Sequence, residues 1–125
     1  MISKLKDILA QQKDLELGVM VGSQAENRAR PDSDWDIAIQ WKRDLSAFEN
    51  LGRTETLRRE LGKTLNVEES RVDLINIPNA GLAMRALIAD KGIPLKGQNS
   101  LAWNHFLSRV WRELEMYEWE KQHGS

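Results

Sequence analysis

Apolar positions recur at helical spacing from the start of the chain. Ile2, Leu5, Ile8 and Leu9 would share one face of a short amphipathic helix over about 2–13. The run "LELGVMVG" that follows is short, apolar and closed by Gly22, the pattern of a strand. "SQAENRARPDS" is polar and contains Pro31, so it predicts a turn that can open with a brief helix. "DWDIAIQW" alternates and predicts a second strand. "LSAFENLGRTETLRRELGKTL" returns to helical spacing, with Leu45, Phe48, Leu51, Leu57, Leu61 and Leu65 on one face. "RVDLINI" is apolar on both faces, which predicts a central strand. "NAGLAMRALIADKG" predicts a helix with Gly92 as its C-cap, and "IPLKG" a short edge strand. A long helix over about 100–122, with Asn99 or Ser100 as N-cap, completes the chain. This order predicts an α/β (α+β) fold: a small mixed sheet with helices packed mainly on one face, in a single domain spanning 1–125.

Composition narrows the function classes. With 125 residues there is material for one modest core and no separate substrate domain. The 18 basic and 19 acidic residues nearly cancel, so no overall charge draws the chain to nucleic acid or to a membrane. Cysteine is absent, which rules out disulfides and thiolate metal sites and suits a reducing cytoplasm. The first residues lack the unbroken apolar core of a signal peptide, and no window is long enough for a membrane span. Of the five tryptophans, three lie in the last helix, too many for one core-facing stripe. Trp103, Leu107, Val110, Leu114 and Tyr117 line up, with Phe106, Trp111 and Trp119 beside them. Another protein chain can cover part of such a surface.

The polar pattern carries the chemistry. In the second strand, Asp34 and Asp36 share a face with Ala38, while Trp35, Ile37, Ile39 and Trp41 point the other way. A third acid, Asp73, interrupts the apolar run of the third strand. Carboxylates on neighbouring strands repel one another unless a cation lies between them. Hard divalent cations favour oxygen ligands, and Mg²⁺ binds through a few carboxylates plus substrate phosphates. The three acids are therefore expected to converge beside Ser23 as metal ligands. The alternative for Asp73 is a structural ion pair, with Arg71 or an arginine of the second helix. Gly22 allows close backbone approach, and Ser23 at the start of a helical turn offers N–H groups and a hydroxyl to an anion. Neither His105 nor His123 has a recognisable partner for nucleophilic catalysis. Arg53, Arg58, Arg59 and Lys63 form a solvated basic face.

Gly22-Ser23, ten residues, then Asp34-Trp35-Asp36, with Asp73 on a later strand, resembles the signature of the DNA polymerase beta-like nucleotidyltransferase superfamily. The small size is similar to the minimal nucleotidyltransferase (MNT) antitoxins of HEPN/MNT toxin–antitoxin systems. The resemblance implies a palm-like fold, ATP as substrate and a Mg²⁺ site, two ions in the full pattern. It implies that Asp34, Asp36 and Asp73 are catalytic and metal-binding, and that Gly22 and Ser23 hold the β- and γ-phosphates. It also implies a partner, a HEPN-domain RNase toxin that accepts AMP on a hydroxyl, commonly a tyrosine's. Two other readings stay open: an antitoxin that masks its partner by binding alone, and a small-molecule nucleotidyltransferase. One departure is visible. Many relatives carry Ala-Arg-Gly where this chain has Ala25, Glu26 and Asn27, so either Arg28 or Arg30 substitutes for the missing basic group or the nucleotide geometry differs.

Overall fold

The structure, a computed structural model, describes residues 2–124. Its elements run α1 (Ile2–Ala10), β1 (Leu15–Val21), α2 (Gly22–Ala25), β2 (Trp35–Trp41), α3 (Ala47–Leu65), β3 (Val72–Asn76), α4 (Leu82–Lys91), β4 (Ile93–Lys96) and α5 (Leu101–His123). Single 3-10 turns at Glu69–Arg71 and Ile77–Asn79 bracket β3. The ends follow local chemistry. Ser46 and Glu49 close a reciprocal capping box at the start of α3, and Asn66 ends it in the left-handed conformation. The Ser100 hydroxyl accepts from the Trp103 N–H at 3.2 Å and caps α5. Gly92 does cap α4, but in extended backbone, donating to the Ile88 carbonyl at 3.1 Å. Its role is close packing: a Cβ there would lie 2.5 Å from Val19 of β1.

The strands pair in the order β3-β2-β1-β4. β1 runs antiparallel to β2 and β4, and β2 runs parallel to β3. α3 makes the crossover that a parallel pair requires. β4 is the edge strand its length predicts. β3, expected at the centre, is the other edge. It reads as central because both of its faces are covered: Leu74 packs with one core and Ile75 with the other.

The helices are not mainly on one face. α1 and α3 bring Leu5, Leu9, Leu57, Leu61 and Leu65 against Met20, Ile37, Ile39 and Trp41. α4 and α5 bring Ile88, Trp103, Phe106 and Val110 against Leu17, Val19, Val21 and Ala38 on the opposite face. The cause lies in β1, which is apolar on both sides, with a register irregularity between Leu15 and Leu17. Both sides of such a strand must be kept from water. The acids that open β2 make its second face look solvated, yet Ala38 on that face is fully buried in the α4/α5 core. The long stripe expected on α3 is buried only from Leu57; Phe48 and Leu51 are exposed.

Candidate active site

The acids occupy the uncovered end of the α4/α5 face of the sheet. Parallel pairing sets Asp36 of β2 opposite Asp73 of β3, and antiparallel pairing sets Val21 of β1 opposite Asp36. The chain leaves β1 at Gly22 and so passes beside the Asp36 carboxylate. Gly22 has φ +74°, and a Cβ on it would lie 2.4 Å from Asp36 Oδ2. Only a residue without a side chain fits both the dihedral and the space.

From Gly22 the chain turns straight into α2, whose opening N–H groups have no partner within the helix. Two backbone bonds close the corner: Glu26 N–H to Gly22 O at 3.0 Å and Arg28 N–H to Ser23 O at 2.9 Å. Asn27 leaves the turn at φ 60°. It stands where the resembled pattern has glycine, and asparagine is among the few side chains that visit this conformation. The departure is therefore accommodated at Asn27. At Glu26 the chain carries an acid that takes the Arg28 guanidinium at 3.3 Å.

Sequence reasoning missed what holds the loop before Asp34. Arg71, at the entry to β3, donates to the carbonyls of Pro31 at 3.0 Å and Ser33 at 2.7 Å. Arg71 lies two residues before Asp73 and Ser33 one before Asp34, so one side chain ties together the segments bearing two of the acids. The alternative of an Arg71–Asp73 ion pair is not what the structure shows. Among the described residues Asp34, Asp36 and Asp73 form no ion pair. The position of Arg71, two residues before the strand acid, was the only available signal.

Electrostatics single out Asp36. Asp34 and Asp73 are exposed, whereas Asp36 is half-buried. Burial raises the Asp36 carboxyl above the ordinary carboxylate range, and the charges of Asp73 and Asp34 push it the same way. The acids thus sense one another, but among the described residues no three His, Asp or Glu side chains are gathered as a ready-made metal cage. A hard divalent cation fits nonetheless. The donors are all carboxylate oxygens, the bare Cα of Gly22 leaves room beside Asp36, and a cation would relieve the repulsion that raises its carboxyl. His105 and His123 are exposed; His123 stacks on Trp119 and its Nδ1 lies 2.9 Å from the Trp119 carbonyl.

A sizeable cavity lies elsewhere. A groove of about 950 Å³ runs past the C-terminal ends of β2 and β3, between α3 and α5, and none of the five residues above lines it.

The family described as "Polymerase beta, Nucleotidyltransferase" matches residues 3–101. A comparison with curated proteins yields no match. Among solved structures, a chain of a toxin–antitoxin with AMP-PNP superposes with TM-score 0.73 at 20% identity, over 98% of this chain and 93% of that one. A chain of the toxin–antitoxin MntA-HepT superposes with TM-score 0.66 at 22% identity, over 98% and 91%. A chain from the tri-AMPylated Shewanella oneidensis HEPN toxin in complex with MNT antitoxin gives TM-score 0.66 at 20% identity, over 98% and 90%. At these identities the likeness is one of fold.

Proposed function

The chain belongs to the polymerase beta nucleotidyltransferase family, and from that premise we propose that it is a cytoplasmic antitoxin transferring AMP from ATP to a hydroxyl of a HEPN-domain RNase toxin. The observation that carries the proposal is the placement of Asp36 opposite Asp73 and directly over Gly22, with a carboxyl raised by burial and by two neighbouring acids. Further support comes from structures of the same fold, one described with AMP-PNP and one with a tri-AMPylated HEPN toxin.

In this proposal Gly22 and Ser23 hold the β- and γ-phosphates with the backbone N–H groups that open α2. Asp34, Asp36 and Asp73 hold Mg²⁺, which when bound neutralises the triphosphate and the charge that develops on the reacting oxygens. The acceptor oxygen, a tyrosine's in the resembled pattern, bonds to the α-phosphorus. The bond from that phosphorus to the α,β-bridging oxygen breaks, and pyrophosphate leaves. The hydroxyl proton passes to the Asp73 carboxylate, which is exposed at the entry to β3 and free of any ion pair among the described residues. With Asp34 and Asp73 both exposed, the site is open, and the docked acceptor supplies the wall that excludes water.

The test is the intact mass of the HEPN partner after incubation with the chain, ATP and Mg²⁺ and separation under denaturing conditions. One AMP mass per transfer is expected with wild type and none with Asp34→Ala/Asp36→Ala. An unmodified partner that both proteins silence equally would mean masking by binding alone.

A further inference from the structure

The 950 Å³ groove at the far end of the sheet has no part in the chemistry above. Five residues of β2 lie between Asp36 and Lys42, and six steps at the rise of a strand span about 20 Å. We propose that this groove is a second binding site, an exosite for an acidic peptide segment of the protein acceptor. The inference rests on the proposed function, since it presumes that the acceptor is a protein.

Charge supplies the first argument. Lys42, Arg43, Arg58, Arg85 and Arg109 line the groove against only Glu55 and Glu113. This local cationic excess stands out on a chain whose net charge is -1. Arg85 is committed to Glu113, Arg58 reaches Glu55 at 3.6 Å, and Lys42 reaches Asp14 at 3.8 Å. Arg43 and Arg109 are exposed and have no ion-pair partner among the described residues. Both also line an adjoining cavity of about 240 Å³ that includes His105, so the two cations stand between the two hollows.

The apolar lining points to a peptide rather than a nucleic acid. Leu51, 61% exposed, lines the groove, and Phe48, 85% exposed, lies one turn before it on α3; both suit an apolar anchor beside the acidic residues.

The experiment is calorimetric titration of the HEPN partner with wild type and with Arg43→Glu/Arg109→Glu, at low and high salt. The variant should bind about tenfold more weakly or worse, with a flatter salt dependence. Its melting temperature and its stabilisation by ATP with Mg²⁺ should match wild type. Arg43→Gln/Arg109→Gln should fall between the two. Unchanged affinity in the charge-reversed variant would overturn the proposal, as would failure of wild type to bind the partner. Loss of affinity for a single-stranded RNA with partner binding intact would reassign the groove to nucleic acid and overturn it equally. Failure of the transfer reading looks different: groove variants still lose affinity, while wild type leaves the partner's mass unchanged.

Discussion

Gly22 and Asp36 show how much of the candidate site depends on single side chains. Gly22 holds a left-handed backbone, and its missing Cβ leaves room for Asp36 Oδ2. Gly22→Ala therefore carries a conformational cost of about 1–2 kcal/mol and also displaces the carboxylate. Melting should fall by several degrees, with transfer lost far beyond what that destabilisation explains; an active Gly22→Ala protein would show that the close approach is not needed. At Asp36 the sign of the pH effect follows from the direction of its shift. The folded state holds the proton to higher pH than the unfolded chain does, so this group lowers stability as pH rises through the carboxylate range. Asp36→Asn removes that dependence. The metal-free variant should melt no lower than wild type at neutral pH, and it should lack the loss of stability that ionising Asp36 brings as pH rises above the ordinary aspartate value of about 4. Urea titrations across that range check both, and a marked loss of stability would give Asp36 a structural role.

At the scale of elements, Arg71 joins the loop that ends at Asp34 to the strand that carries Asp73. Its two bonds go to main-chain carbonyls, so the loop's conformation rather than its side chains is fixed. Arg71→Ala should cost about 1–2 kcal/mol, speed hydrogen exchange over residues 28–34 and weaken Mn²⁺ binding. Arg71→Lys, which cannot span two carbonyls with a planar fork, should recover only part of this. Unchanged exchange in the loop would mean that the bonds do not position it. The contrast between these residues shows what a sequence can reveal. The acids were legible because a strand's period of two puts Asp34 and Asp36 on one face and because charge interrupts an apolar run at Asp73. Arg71 was not legible, because an arginine spanning to carbonyls 38 and 40 residues away leaves no local pattern. The cap at Ser100 is local chemistry and was legible; the capping box at Ser46 is equally local but was missed, because Leu45 falls on the helical face of the apolar pattern.

For the whole molecule, the type and order of the elements followed from periodicity, but their arrangement did not. An edge strand covered on both faces has the same composition as a central one, so β3 was placed wrongly. The split of the helices between two faces depends on how β1 is used, and an all-apolar strand does not say which helix covers which side. The uncovered stretches are equally hard to read: Phe48 and Leu51 continue the spacing of Leu57 and Leu61, yet only the latter pair is buried. The aromatic surplus of α5 is partly core and partly exposed. Trp103 and Phe106 are buried, whereas Trp111, Tyr117 and Trp119 are between 43% and 57% exposed. The transfer reading presupposes that the acid corner binds nucleotide through metal. The most direct test of that claim is the melting temperature with and without ATP, Mg²⁺ and EDTA, for wild type and Asp36→Asn together. At a hundredfold excess over Kd, a ligand adds about 2.7 kcal/mol to stability. Wild type should show a rise of several degrees with ATP and Mg²⁺ that EDTA abolishes, and Asp36→Asn should show almost none while staying folded. A rise that survives EDTA, or that Asp36→Asn retains in full, would contradict the assignment.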